Sequence, residues 1–193
     1  MSKLNLQDFF ADEARVKYGC AKKAIALSKE DPQRLYPAFD FFPQFLHGDK
    51  NILKWAAIQI IGHLSVVDAK KKVDALVPDL ITLLSDKTMI TAANAIGALS
   101  EIAKNKPEDR EKILKALLKV EETTYYIRGE ISPECTKVAV GHVIKALGNF
   151  GRLVYRRKDV RNFLQRQTEN TRPRVRETAE KLLAEKVVKF EEK

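Results

Sequence analysis

The chain repeats itself, and that constrains its fold more than any other feature. LKWAAIQIIGHLS (53–65) and TMITAANAIGALS (88–100) both place an aliphatic residue, Gly, a variable residue, then Leu-Ser. VAVGHVIKALGNFG (138–151) shares the Ala-Leu-Gly core, VRETAEKLLAEK (175–186) keeps the pattern with Ala184 for Gly, and VKYGCAKKAIALS (16–28) is a weaker copy. Aligned on the aliphatic position, Ala24, Ile61, Ile96, Leu147 and Leu183 are separated by 37, 35, 51 and 36 residues. The period is therefore about 36, with one insertion of roughly 15 residues. Each copy reads as an amphipathic helix: Leu53, Ala57, Ile60, Ile61 and Leu64 fall on one stripe, with none of the strict alternation a strand requires.

A second apolar stripe precedes each middle copy: Leu35, Phe39, Phe42 and Leu46, then Leu76, Leu80, Leu83 and Leu84, then Ile113, Leu117, Leu118 and Val120. Pro43 and Pro78 share the repeat offset and are expected to bend these helices. Asp31-Pro32, Ser132-Pro133 and Thr171-Arg172-Pro173 supply helix starts, and Asp49 and Asp86 are expected to cap the inner helices that follow them. The chain is thus a row of helical hairpins, an all-α right-handed solenoid of about four to five units. They form one domain over 1–193, with repeats near 5–30, 32–66, 71–105, 107–151 (insertion 121–134) and 157–190.

Hydrophobic residues at 45% supply a core. Only two cysteines, Cys20 and Cys135, exclude a disulfide-stapled or cysteine-zinc fold and fit a reducing, cytoplasmic setting. No apolar run reaches membrane-span length, and MSKLNLQDFFADEAR is too polar for a signal peptide.

A leucine-rich helix with a proline, Leu-Leu-x-Asp, and then aliphatic-Lys/Arg-x-x-Ala-Ala-x-Ala-Leu-Gly-x-Leu resembles HEAT repeats of the short, PBS-lyase-like kind. LVPDLITLLSDKTMITAANAIGALSEI (76–102) and FFPQFLHGDKNILKWAAIQIIGHLS (41–65) match best, and the resemblance covers about residues 30–190. It implies an α-solenoid and is nearly silent on activity. Deoxyhypusine hydroxylases look like HEAT arrays with His-Glu iron ligands, but His47, His63 and His142 are followed by Gly48, Leu64 and Val143. HEAT-like DNA glycosylases use several tryptophans, whereas Trp55 is this chain's single one. No nucleophile–base arrangement is visible, so the chain reads as non-catalytic, without cofactor or metal.

Inner helices of such arrays line one continuous surface. Its columns run Tyr18, Trp55, Ile90, Gly141, Glu177, then Lys22, Gln59, Asn94, Lys145, Lys181, then Ala26, His63, Ala98, Asn149, Glu185. The expected inner-face ladder is Tyr18, Lys22, Trp55, Gln59, His63, Asn94, Lys145, Asn149 and Lys181, with the two aromatics either stacking on a partner or packing on neighbouring helices. Lys17, Lys54 and Arg176 form a basic column suited to inter-repeat contacts. The three histidines fall in different columns, which argues against a metal site.

The formal net charge is +9, and residues 152–193 hold 13 Lys+Arg against 7 Asp+Glu. Arg156, Arg157, Arg161, Arg172, Arg174 and Arg176 are candidates for anion binding, and Pro173 opens a helix where an anion is favoured. The alternative for this cluster is a soluble cap on the last repeat. The insertion EETTYYIRGEISPE (121–134) is expected to expose Tyr125, Tyr126, Ile127 and Ile131, either as a functional loop or as a plain connection. The overall expectation is a scaffold binding another protein through its inner face, with nucleic acid or another polyanion at the arginines as the rival. Membrane binding is not expected, and oligomeric state is not readable from the sequence.

Overall fold

The computed structural model describes residues 4–184. The end of the fifth expected repeat and Glu185 lie outside these residues. Within them the α-helices are α1 Ala14–Glu30, α2 Pro32–Leu35, α3 Asn51–Leu64, α4 Val77–Thr82, α5 Met89–Asn105, α6 Arg110–Leu118, α7 Pro133–Ala146, α8 Lys158–Gln167 and α9 Pro173–Ala184. The chain is an all-α helical repeat. The odd-numbered helices pack in sequence, α1 on α3, α3 on α5, α5 on α7 and α7 on α9, while the shorter even-numbered helices lie behind them.

The apolar stripes form one core cluster running from Phe9 to Ala179. Ile58, Ile60, Ile61 and Leu64 of α3 and Ala95, Leu99 and Ile102 of α5 are fully shielded. Gly62 is where α3 and α5 approach most intimately: a Cβ there would lie 2.7 Å from the Cα of Ala98. Gly97, its counterpart one repeat later, has nothing within 4 Å of such a Cβ.

The even-numbered layer departs from expectation in form. The stripe Leu35–Phe39–Phe42–Leu46 is buried, but α2 is one turn and gives way to 3₁₀ turns over Tyr36–Phe41 and Pro43–Phe45. Pro32, Pro37 and Pro43 each sit at the start of a segment. Each removes a backbone donor, so a continuous α-helix cannot form across them. Pro43 and Pro78 therefore open helical turns rather than bending a helix.

Capping also differs. Asp31 accepts the backbone N–H of Arg34, as expected. Asp49 does not cap α3, whose flanking residue Lys50 makes no side-chain cap. Asp86 stands three residues before α5 and accepts the N–H of Thr88 at 2.7 Å, while Lys54 pairs with it from the preceding repeat at 3.6 Å.

The serine repeated in the first three copies has one job. Ser28, Ser65 and Ser100 each donate to the carbonyl three residues earlier, at Ile25, Gly62 and Gly97. Each hydroxyl oxygen then meets a side chain of the next repeat: His63 Nδ1 at 2.8 Å, Asn105 Nδ2 at 2.8 Å and Asn149 Nδ2 at 3.0 Å. Ser65 and Ser100 accept from the asparagine amides of the neighbouring repeat, while at Ser28 the His63 tautomer sets which side donates.

A buried polar network ties the second and third hairpins. Asp68 accepts from Tyr36 OH at 2.6 Å and from the N–H groups of Lys72 and Val73, each at 2.9 Å. Lys106 Nζ donates to the Asp68 carbonyl at 3.1 Å and forms ion pairs with Asp68 Oδ2 and Asp74 Oδ1, each at 2.9 Å. Burial opposes charge on Asp68, but these donors outweigh it and hold the carboxyl below its ordinary pKa. Burial, then the neighbouring Asp74, pushes Asp109 up.

The insertion is a small hairpin, β1 Tyr126–Ile127 against β2 Glu130–Ile131. Its turn residues Arg128 and Gly129 have φ of 54° and 86°. Tyr126, Ile127 and Ile131 are exposed, but Tyr125 is fully buried and donates its hydroxyl to the Leu84 carbonyl at 2.7 Å. The expectation of an exposed Tyr125 is corrected: the residue lies just ahead of β1, where its ring is buried and its hydroxyl finds a buried carbonyl partner.

Candidate functional site

The odd-numbered helices line two adjoining clefts. The first, about 410 Å³, runs over α3, α5 and α7 and includes Gln59, His63, Asn94, Glu101, Lys145 and Asn149. The second, about 470 Å³, lies between α7 and α9 and includes His142, Lys145, Arg172, Arg174 and Val175. His142 and Lys145 belong to both, so the surface is continuous.

Several ladder residues are already engaged within the protein. His63 and Asn149 are the inter-repeat hydrogen-bond partners of Ser28 and Ser100, and Asn149 also donates to Glu101 at 3.2 Å. Asn94 returns its amide to the Ile90 carbonyl of its own helix. Trp55 is half-buried and donates Nε1–H to Thr91 at 3.0 Å, and Tyr18 packs against the core, with no ring contact between the two among the described residues. Both aromatics therefore join neighbouring helices. Lys22, Lys145 and Lys181 are exposed, and Gln59 is half-buried at the floor of the first cleft.

The arginines separate. Arg157 forms a two-pronged pair with Glu111 and a second with Asp159, which raise its pKa and occupy its guanidinium. Arg166 is likewise held by Glu121. Arg156 and Arg161 are exposed on the α8 side, away from the clefts. Arg176 is half-buried on α9. Arg172 and Arg174, flanking Pro173, line the second cleft together with Lys145.

Two residues of this surface were missed in the sequence. His142 is three residues before Lys145 and so shares its face, a spacing that marks it. Glu101 is four residues after Gly97 on the same side of α5. Thus His63 and His142 reach one groove, although their columns differ. Burial, and for His142 also the Lys145 charge, lowers both histidine pKa values. No cluster of three metal-ligating side chains occurs among the described residues, nor does any helix long and apolar enough to cross a membrane. His47 stands apart, 3.6 Å from Asp79.

No family model matches the chain, and no curated protein matches it. Among solved structures, two engineered proteins are similar over 92% of this chain. One is 14% identical, is covered over 93% of its own length and has a TM-score of 0.51. The other is 15% identical, covered over 95%, with a TM-score of 0.50. A designed armadillo repeat protein aligns at 15% identity, with 92% of this chain and 96% of that chain covered, at a TM-score of 0.35. The first two similarities speak for the fold alone.

Proposed function

We propose that this chain is a non-catalytic, HEAT-like scaffold, a single repeat domain that holds another protein against its odd-numbered helices. The observation that supports this reading is the continuous open surface from Gln59 across Lys145 to Arg174, built by consecutive repeats. Repeat arrays characteristically use such surfaces for extended partners. A nucleic-acid reading is weakened by Arg157 and Arg166, whose guanidinium groups are committed to carboxylates, and by Glu101 within the groove.

The test is a pull-down from native extract after nuclease treatment, comparing the parent with Gln59→Arg/Lys145→Glu. Neither side chain takes part in the serine-linked contacts between repeats, so the fold should persist. A protein retained by the parent and lost by the variant supports the scaffold. Capture that vanishes with nuclease, or an affinity falling by roughly −0.9 log units per neutralised phosphate on a log salt scale, contradicts it.

A further inference from the structure

The serine-linked contacts consume much of the first cleft, and what remains points to the second. Among the described residues, the side chains of Lys145 and Arg174 enter no hydrogen bond or ion pair. Arg172 has one long contact, 3.7 Å to Glu134, and Glu134 is itself held by Lys137 at 2.6 Å. Among the described residues, the lining of the α7/α9 cleft contains no carboxylate; His142 and Thr178 are its other polar members. Its floor is aliphatic: Val138, Ile144 and Val175, with Gly141 so close beneath Val175 that a Cβ there would lie 3.1 Å from Cγ2. The cleft therefore offers three cations around an apolar base.

We propose that this cleft docks an acidic segment of a partner protein in which carboxylate side chains alternate with aliphatic ones. The inference rests on the scaffold reading and adds the chemistry of the partner. Carboxylates match the arginine forks in two-pronged geometry. Aliphatic side chains cover Val138, Ile144 and Val175, which a phosphodiester backbone would leave wet. A nucleic acid would also need cations along its track, but the surface turns neutral at Gln59 and Asn94 and negative at Glu101.

The test uses capped peptides, N-acetylated and C-amidated, so that only side-chain carboxylates are present. A Glu-Leu alternating peptide is compared with Gln-Leu and Glu-Ser versions and with an oligothymidylate, by fluorescence anisotropy at low salt. The Glu-Leu peptide should bind, the other two peptides should bind at least about tenfold more weakly, and Arg172→Gln/Arg174→Gln should lose about tenfold. Arg161→Gln, the same kind of charge removal on α8, should bind as the parent, and circular dichroism should show both variants helical. Equal binding of the Glu-Leu peptide to the double variant, no binding to the parent, or tighter binding of oligothymidylate overturns the proposal. If the double variant still captures the nuclease-resistant partner through Gln59 and Lys145, this inference fails while the scaffold reading stands.

Discussion

Asn149 gives its amide N–H to the Ser100 hydroxyl at 3.0 Å, across the boundary between two repeats. The same contact joins Asn105 to Ser65 and His63 to Ser28. Each serine closes its own helix through the carbonyl behind it and bonds to a side chain of the repeat ahead.

Ser65 is the most shielded of the joints in hydrogen-bond terms, since its contact to Gly62 is buried. Ser65→Ala should lower stability by about 1–2 kcal/mol, because Asn105 loses its acceptor. A double-mutant cycle with Asn105→Ala, read by urea denaturation, should show a coupling of roughly 0.5–1.5 kcal/mol. Strict additivity would remove the serine from the inter-repeat contacts.

The repeat, the helical class and the core stripes were legible because apolar spacing alone fixes which face of each helix is buried. The length of the even-numbered helices was not, since Pro32, Pro37 and Pro43 act through missing donors that a hydrophobic pattern does not register. Gln59, Lys145 and Asn149 of the expected ladder line one cleft, yet the spending of Asn149 and His63 on serines was hidden. It depends on partners in the preceding repeat, 35 residues away for His63 and 49 for Asn149, across the insertion. The Asp68–Lys106 network was missed for the same reason: neither residue belongs to a periodic face.

Gly62 and Gly97 hold the same place in the repeat and should respond oppositely to alanine. Gly62→Ala drives a methyl to 2.7 Å from the Ala98 Cα and should cost about 1–3 kcal/mol. Ala98→Gly should not rescue it, because the clash is with the backbone carbon. Gly97→Ala meets open space within a helix and should stabilise by about 0.5–1 kcal/mol. Thermal unfolding of the three variants checks this, and equal effects at the two glycines would refute the close approach.

Lys106 neutralises buried Asp68, with Asp74 beside them. Lys106→Met leaves an uncompensated buried carboxylate and should cost about 3–5 kcal/mol. Denaturant titration at neutral pH measures this; a loss below about 1 kcal/mol would mean that Asp68 is solvated.

His63 is held below its ordinary pKa of 6.5, chiefly by burial. The unfolded chain therefore takes up its proton first as pH falls. Stability contributed by the neutral ring is present above about 6.5 and is lost as pH drops through the lowered folded-state value. His142 adds in the same direction. The melting temperature should fall between pH 7.5 and pH 5, and His63→Gln, which keeps a donor for Ser28, should flatten that fall. An unchanged slope would place the linkage elsewhere.

Which face holds the partner is decided most directly by site-specific photo-crosslinking in native extract. A photoreactive residue at Gln59, in the groove, is compared with one at Gln165, exposed on α8. The scaffold account predicts a nuclease-resistant protein adduct at position 59 and none at position 165. Adducts confined to position 165, or nucleic-acid adducts at position 59, would contradict it.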